Sequence, residues 1–164
     1  EFKGGLMSVE IIRVKTDAEW DVVKKFLSEL LVYENTLRPE RKEVANIING
    51  SFSYVRENID KHQGAAFLAI VDGEYVGFGT CWIISGSGLD KGDNRYGHLS
   101  DAYVLPNYRH QGIYKKLLEE RKDYFKSLGI KNLDISTLGN NTDMHKILTR
   151  FGFKVQKVTY EIEI

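Results

Sequence analysis

One short stretch of the chain combines a fixed cation, a glycine and the start of a helix. Arg109 stands three positions before Gly112, and a segment with helical apolar spacing begins directly after that glycine. Gly112 has no side chain, so the backbone N–H groups around it can point at an anion, and the positive end of the helix dipole adds to the attraction. The combination predicts a loop that binds a pyrophosphate.

Two other phosphate-binding loops do not fit this sequence. The nucleoside triphosphate loop needs G-x-x-x-x-G-K-[ST], but Ile113 follows Gly112, and no Gly-Lys-Ser or Gly-Lys-Thr occurs in the chain. The dinucleotide loop needs G-x-G-x-x-G. The segment that begins with Gly86 and Gly88 has Lys91 where the third glycine is required. The loop around Gly112 is therefore of a different kind.

The stretch around Gly112 resembles the acetyl-CoA signature of the GNAT superfamily of N-acetyltransferases. The family pattern is Arg-x-x-Gly-x-(Gly or Ala), preceded by Val-x-Pro. Here Val104 and Pro106 precede Arg109 and Gly112 at that spacing. The sequence departs from the pattern at Tyr114, where the family usually has a small residue. The backbone N–H can still serve there, and we expect the tyrosine ring to turn away from the phosphates.

The resemblance implies how acetyl-CoA, the donor substrate, would bind without a metal. The fourth and fifth strands would splay near Val104, and the pantetheine would enter between them and pair with backbone groups. The Val104 N–H would stabilise the oxyanion formed at the thioester carbonyl, and the amides of residues 111–114 would hold the pyrophosphate. The residues that the resemblance implies for cofactor binding are Val104, Leu105, Arg109, His110, Gln111, Gly112, Ile113, Tyr114 and Asn141.

Residues 141–153 are similar to a second family pattern, N-x-x-A-x-x-L-Y-x-x-x-G-F. Asn141 matches a position whose side chain often meets the cofactor, and asparagine is also a good helix N-cap. Leu148 stands where the family often has the tyrosine that protonates the departing CoA thiolate, and leucine has no proton to donate. His145, on an adjacent part of the same helix face, is a candidate catalytic replacement. The alternatives are a proton from water and an exposed histidine without a role.

The acceptor amine must lose a proton before it attacks. A lysine-type amine has a pKa of about 10.4, so removing its proton at pH 7 costs about 4 to 5 kcal/mol, and a nearby base eases this step. His98 matches the catalytic glutamate of the histone-acetyltransferase branch, and Asp101 matches an acidic position of another branch. Strand alternation predicts that the two side chains lie on opposite faces unless a β-bulge switches them. Structural roles remain the alternative for both.

The elements that position these residues follow from apolar periodicity and turn signals. Thr16 and Glu19 form a capping box at the start of a helix, and Asp72-Gly73 predicts a hairpin turn. Predicted strands cover residues 9–14, 67–71, 75–84, 96–105, 133–137 and 158–164, and predicted helices begin near residues 16, 44, 113 and 141. The resulting order is β-α-α-β-β-β-α-β-α-β. It predicts an α/β (α+β) domain of GNAT fold, with a mixed, mostly antiparallel sheet flanked by helices.

Composition limits the classes of partner. The 164 residues include 23 basic and 23 acidic side chains, so no global basic field favours nucleic acid. Cys81 is the single cysteine, which excludes an internal disulfide and suits a reducing cytoplasm. No apolar stretch approaches the roughly 20 residues of a membrane span. Residues 1–6 precede Met7 and are expected to be an expression remnant, which leaves residues 7–164 as one N-acetyltransferase domain.

The sequence therefore predicts an acetyl-CoA-dependent N-acetyltransferase. The acceptor would be a primary amine of a small molecule or peptide, and it would attack the thioester directly in a ternary complex. One alternative is a longer acyl donor. Another is a non-catalytic acyl-CoA-binding or regulatory module, which Leu148 favours because an expected acid is missing. Homodimers are frequent in the family that the chain resembles, so a homodimer is also an expectation.

Overall fold

The computed structural model describes residues 8–86, 92–162 and 164, and the expected expression remnant lies outside them. The described chain forms one five-stranded sheet flanked by four α-helices. The strands are β1 (Val9–Arg13), β2 (Ala65–Val71), β3 (Glu74–Ser85), β4 (Arg95–Val104) and β5 (Asn132–Ile135). The helices are α1 (Asp17–Leu37), α2 (Val44–Lys61), α3 (Ile113–Ser127) and α4 (Thr142–Arg150). The predicted α/β fold with a mixed sheet is confirmed.

The sheet follows chain order, and its last pair differs from the others. Strands β1 to β4 pair with their neighbours in antiparallel fashion, whereas β4 and β5 are parallel. The parallel pairing joins only Tyr96–Leu99 to Asn132–Ile135. Residues 100–104 of β4 therefore have no partner strand on the β5 side within the described chain. Parallel strands that stop pairing part-way leave a gap bordered by free backbone groups.

Two apolar clusters hold helices against opposite faces of the sheet. Helices α1 and α2 pack on one face, where Phe26 stacks on Phe78 of β3 with ring centroids 6.2 Å apart. Helix α3 packs on the other face, where Leu117 and Phe125 are buried with Leu99 of β4. Each helix has an apolar stripe at helical spacing, and burying that stripe on the sheet stabilises the layers.

The capping and turn motifs of the sequence form the local structures that they predict. Thr16 accepts from the Glu19 N–H, and Glu19 accepts in return from the Thr16 N–H, which completes the predicted capping box. Asp72 and Gly73 both have positive φ, as a tight hairpin turn requires. Helix α3 ends before Gly129, whose φ is +74°.

The predicted strand at residues 158–164 is wrong for the described part of this chain. Residues 153–162 have no regular secondary structure. A strand needs a neighbour to accept its backbone hydrogen bonds, and the segment does not pair with the edge strand β5. Instead, Glu161 forms an ion pair of 2.9 Å with Arg38, just beyond the end of α1.

Candidate functional site

The gap between β4 and β5 presents backbone groups of Val104. The Leu105 N–H donates to the Val76 carbonyl of β3 at 2.9 Å. Since successive residues of a strand point their backbone groups to opposite sides, the N–H and the carbonyl of Val104 point away from β3, toward the gap. The Val104 N–H is therefore available to a ligand that enters there.

Arg109 closes one corner of this gap. Its Nε donates to the Val104 carbonyl at 2.9 Å, and its guanidinium lies 5.3 Å from the ring centroid of Tyr103. The Val104 carbonyl is thus engaged within the chain, and the N–H is the group that remains for a substrate. The sequence predicted a cation here; the structure fixes its side chain along the end of β4.

The loop before α3 is shaped for an anion. Gly112 is the N-cap of α3 with φ +79°, and no side chain caps the first turn, which also contains no acidic residue. A Cβ on Gly112 would meet no atom within 4 Å, so the loop faces open space. His110 also has positive φ, and Gln111 Nε2 braces the loop on the Asn107 carbonyl at 3.0 Å. The first N–H groups of a helix have no partner inside it, so they remain free for phosphate oxygens.

The side chains of Ile113 and Tyr114, the first residues of α3, pack away from this loop. Ile113 is buried in the core under α3. The Tyr114 ring packs against Phe151, with centroids 6.2 Å apart, so it lies toward the end of α4. The departure from the family pattern at Tyr114 is accommodated by this packing, and only its backbone faces the loop.

A β-bulge changes which side chains share a face of β4. Gly79 pairs with Ala102 and Cys81 pairs with Leu99, so two residues, Ser100 and Asp101, stand opposite Thr80 alone. The alternation therefore shifts by one position along the strand. Leu99 and Tyr103 are four positions apart and would share a face in a regular strand. Here Leu99 is buried in the core under α3, whereas Tyr103 packs on the α1 side.

The bulge brings Asp101 to the face of the sheet that carries His98. The expectation that they lie on opposite faces holds only for a regular strand, and it is wrong here. Ser100 and Asp101 both line a cavity of about 380 Å³ beneath α1 and α2. The His98 ring packs on Trp82 at 5.2 Å, also on that side. Other residues lining the cavity are Leu27, Leu31, Ser51 and Tyr54.

The Asp101 carboxyl has the electrostatics of a candidate base. Burial raises its pKa above the ordinary aspartate value, and the Ser100 hydroxyl, which donates to it at 2.9 Å, opposes that rise in part. The charges of His98 and Arg121 also lower the pKa. A carboxylate with a raised pKa accepts a proton more readily than an exposed one.

Arg121 lies beneath the bulge and was not identified from the sequence. It is fully buried on α3, donates from Nη1 to the Thr80 carbonyl at 3.4 Å, and leaves Nη2 without a partner within the described residues. Thr80 in turn accepts the Asp101 N–H at 3.1 Å. Gly79 makes room for the guanidinium, because a Cβ there would lie 3.0 Å from it. The available signal was a charged residue on the apolar stripe of α3, four positions after Leu117.

His98 is hydrogen-bonded to a residue of the neighbouring strand. Its Nδ1 donates to the Asp134 carboxylate of β5 at 2.7 Å. The two residues are in register across the parallel pair, next to the point where the strands separate. This bond orients the His98 ring and links β4 to β5.

The start of α4 brings a tyrosine to Asn141. The Asn141 Oδ1 accepts from the Met144 N–H at 3.2 Å, as an N-cap does, and the Tyr33 hydroxyl of α1 donates to the same oxygen at 3.4 Å. Leu148 is buried. His145 Nε2 donates to the Leu138 carbonyl at 3.2 Å, so its ring is engaged with the loop before α4. No sequence pattern pairs Tyr33 with Asn141.

The described residues contain no cluster of three or more His, Cys, Asp or Glu side chains that could hold a metal ion. Among the helices of that same part of the chain, none is long and apolar enough to cross a membrane.

Comparison with known proteins gives matches over most of the chain. The family model described as the Acetyltransferase (GNAT) family matches residues 32–153. An uncharacterized N-acetyltransferase of Bacillus subtilis, YhfO, is 26% identical over 110 residues, which are 67% of this chain and 72% of that protein. An uncharacterized N-acetyltransferase of Archaeoglobus fulgidus is 26% identical over 116 residues, 71% of this chain and 73% of that protein.

Solved structures share the fold at low identity. A putative acetyl transferase from Pyrococcus furiosus superposes with a TM-score of 0.74 at 18% identity, covering 96% of this chain and 100% of that one. The aminoglycoside N-acetyltransferase AAC(6')-Iy in complex with CoA superposes with a TM-score of 0.68 at 20% identity, covering 98% and 97%.

Proposed function

The chain belongs to the acetyltransferase (GNAT) family, whose model matches residues 32–153, and we propose that it transfers the acetyl group of acetyl-CoA to a primary amine of a small molecule. The observation that carries the proposal is the bulge in β4. The bulge turns Asp101 into a cavity on one face of the sheet, and the same stretch of β4 has an unpaired edge toward β5. An amine bound in the cavity and a thioester bound in the gap would both lie at this stretch of β4.

Asp101 is the general base of this proposal. It accepts the proton of the acceptor ammonium, which frees the nitrogen lone pair for attack on the thioester carbonyl carbon. Because the pKa of Asp101 is raised, it lies closer to the pKa of the amine than that of an exposed aspartate does, which favours the proton transfer. His98 is the second candidate, because its Nδ1 donates to Asp134 and the lone pair of Nε2 can then accept a proton.

The donor side of the proposal rests on the backbone. The Val104 N–H would donate to the oxygen that becomes negative as the amine adds to the carbonyl, and such preorganised donors stabilise a transition state strongly. The free N–H groups at the start of α3 would bind the pyrophosphate, with Arg109 and His110 beside them. Asn141 would meet the pantetheine near the start of α4.

The leaving thiolate needs a proton, and Leu148 cannot supply one. The Tyr33 hydroxyl lies 3.4 Å from Asn141 Oδ1, at the residue that matches the cofactor-contacting position of the family. Tyr33 would pass its proton to the sulfur and regain one from solvent. His145 is the alternative donor, and its Nε2 proton is hydrogen-bonded to the Leu138 carbonyl as the Tyr33 proton is to Asn141 Oδ1.

A small acceptor fits the cavity. Its volume of about 380 Å³ lies at the lower end of the range of small-molecule sites. Its walls combine apolar side chains of α1 with hydroxyl groups of α2 and one carboxyl from β4. The structural neighbours include AAC(6')-Iy in complex with the bisubstrate analogue CoA-S-monomethyl-acetylneamine. A mono- or oligoamine of this size is the acceptor class that we propose.

Calorimetric titration with acetyl-CoA, followed by a panel of amines with detection of free thiol, tests the proposal. We expect binding of acetyl-CoA, and thiol release with small primary amines that Asp101→Asn removes while binding is kept. Binding without thiol release for any amine would favour the non-catalytic acyl-CoA-binding module. Absence of binding would overturn the assignment of the loop at Gly112.

A further inference from the structure

A second cavity adjoins the one that Asp101 lines. It has a volume of about 400 Å³ and is formed by the last turns of α2, the end of β3 and the start of β4. Tyr54 of α2 lines both cavities, and its ring stands edge-on to the buried Trp82, with centroids 6.0 Å apart. The polar residues that line the second cavity include Asn58, Lys61, His62, Ser85 and Arg95.

The two cavities follow each other along one face of α2. Ser51 lines the first, Tyr54 lines both, and Asn58 and Lys61 line the second. Spacings of three or four positions place these residues on one side of the helix. The rise of the helix from Ser51 to Lys61 is roughly 15 Å. An elongated ligand that starts at Asp101 can therefore continue along α2 into the second cavity.

The walls of the two cavities differ in charge. Asp101 is the one charged side chain among the described residues that line the first cavity. The second cavity is lined by Lys61 and Arg95, and none of its described lining residues is acidic. A carboxyl group at one end and two cations at the other are complementary to a molecule with opposite charges at its two ends.

Lys61 and Arg95 keep hydrogen-bond donors for a ligand, although each has a carboxylate partner. Lys61 Nζ lies 3.1 Å from Glu57, and Arg95 binds Asp93 through Nε at 3.0 Å and Nη2 at 2.7 Å. These pairs leave further N–H groups on Lys61 Nζ and on Arg95 Nη1. Because each cation already faces one carboxylate, the remaining donors suit a singly charged carboxylate better than a doubly charged phosphate.

The carbonyl groups at the end of α2 are engaged by the backbone. The Asn58 carbonyl accepts the His62 N–H at 2.9 Å, and the Ile59 carbonyl accepts the Gly64 N–H at the same distance. The His62 carbonyl accepts the Ile83 N–H of β3, also at 2.9 Å. Free carbonyls at a helix C-terminus would disfavour an anion. Here side chains, rather than free carbonyls, set the charge that a ligand meets.

We propose that the acceptor is a zwitterion, with its amine at Asp101 and a carboxylate bound by Lys61 and Arg95 in the second cavity. This inference rests on the proposed function, because it names the class of amine that the same site takes. An extended peptide of three or four residues spans roughly 10 to 14 Å, and the long side chains of Lys61 and Arg95 cover the remaining distance. Ser51 and Asn58, which lie between the two ends, can bind its amide groups.

Calorimetry with oligoglycines tests the carboxylate subsite without turnover. Glycine, triglycine, tetraglycine and their C-terminal amides are titrated into the protein loaded with CoA, which has no acetyl group to transfer. Each acid and its amide have the same length and differ in the charge at the C-terminus. We expect triglycine and tetraglycine to bind about tenfold more tightly than their amides, and glycine to show no such preference, because it is too short. Equal affinities of acid and amide at every length overturn the inference.

Substitutions locate the carboxylate. Lys61→Gln and Arg95→Gln should each reduce the preference for triglycine over its amide, and the double variant should abolish it. Lys126→Gln is the matched control, because Lys126 is an exposed lysine of α3, on the other face of the sheet, and is paired with Asp123 at 2.8 Å. It should keep the preference. A preference that survives in the double variant places the carboxylate elsewhere and overturns the inference.

Thiol release separates this inference from acetyl transfer itself. With acetyl-CoA, we expect triglycine to have a KM about tenfold lower than that of its amide, with similar kcat. Thiol release at equal kcat/KM from acids and amides would support acetyl transfer and overturn the carboxylate subsite. Preferential binding of triglycine without thiol release from any amine would support the subsite and overturn acetyl transfer.

Discussion

The two sides of β4 build their parts of the candidate site in different ways. On the gap side, the candidate binding groups are backbone N–H groups of Val104 and of the first turn of α3. On the cavity side, the candidate reactive group is one side chain, Asp101, which a bulge turns toward the cavity. Backbone groups are set by local conformation, so short motifs reveal them. A side chain aimed by distant packing leaves no local motif.

Asp101 carries the largest expected effect on activity. Asp101→Asn should lower kcat by about 1,000-fold, within the range of a lost general base, and leave the affinity for acetyl-CoA unchanged. Steady-state kinetics with thiol detection measures the first, and calorimetry the second. Asp93→Asn is the matched control, because Asp93 is an exposed carboxylate paired with Arg95 near the start of β4, and it should change neither. Full activity of Asp101→Asn would remove Asp101 as the base.

Asp101→Asn is also expected to raise the stability of the fold, although it lowers activity. Because burial raises the pKa of Asp101, the folded protein binds that proton more tightly than the unfolded chain does. The contribution of Asp101 to stability therefore falls as pH rises from the unfolded value of about 3.9 through the raised folded value. Asp101→Asn should raise Tm at pH 7 while it lowers activity. If Asp101→Asn has a lower Tm than the unsubstituted protein at pH 7, the inference that the buried carboxylate destabilises the fold is wrong.

On the gap side, Gly112→Glu should weaken acetyl-CoA binding by about 100-fold, since like charges placed together cost several kcal/mol. The control is Gly129→Glu at the other end of α3. Its φ is +74° against +79° for Gly112, and neither Cβ would meet an atom within 4 Å. Both variants carry equal strain and charge, so only the position differs. Equal affinities in calorimetry for the two variants would refute the pyrophosphate site.

Arg121 is buried in the core, and its charge acts on Asp101 in the cavity. Activity requires ionised Asp101, so kcat/KM should fall as pH decreases through its raised pKa. Arg121→Met removes a charge that lowers this pKa, so the acid limb of the pH–rate profile should move to higher pH. Arg121→Lys keeps the charge and should keep the limb. A limb that stays in place in Arg121→Met would leave Arg121 a purely structural role.

The smallest expected effect belongs to Tyr33. A thiolate with an ordinary pKa of about 8.5 takes a proton from water readily at pH 7, so Tyr33→Phe should reduce kcat only a few-fold, with unchanged acetyl-CoA affinity. The effect should grow as pH rises toward 9, where solvent protonation is slower. Tyr54→Phe, at the cavity wall, is the control, and it should change KM for the amine rather than this pH dependence.

The local conformation on the gap side follows from signals that lie close together in the sequence. Arg109, Gly112 and the apolar stripe of α3 lie within one strand-loop-helix unit, and the turn at Asp72-Gly73 and the capping box at Thr16 depend on neighbours in the chain. The fold class followed from the same periodicities. The roles of the cofactor-binding residues remain predictions that the experiments above test.

The cavity side and the C-terminus depended on contacts between residues distant in the chain. Period-2 alternation placed Asp101 on the wrong face, because a bulge is formed between two strands and depends on what packs beneath it, here Arg121 against Thr80. The alternation at Val158 and Tyr160 predicted a strand, but strand formation also requires an edge within reach. By itself the sequence determined the turns, the helix stripes and the glycine turn before α3, which short-range sterics and backbone hydrogen bonds decide. Only the tertiary structure decided which carboxyl enters the cavity and which segment stays unpaired, since both depend on packing between elements that the chain brings together from far apart.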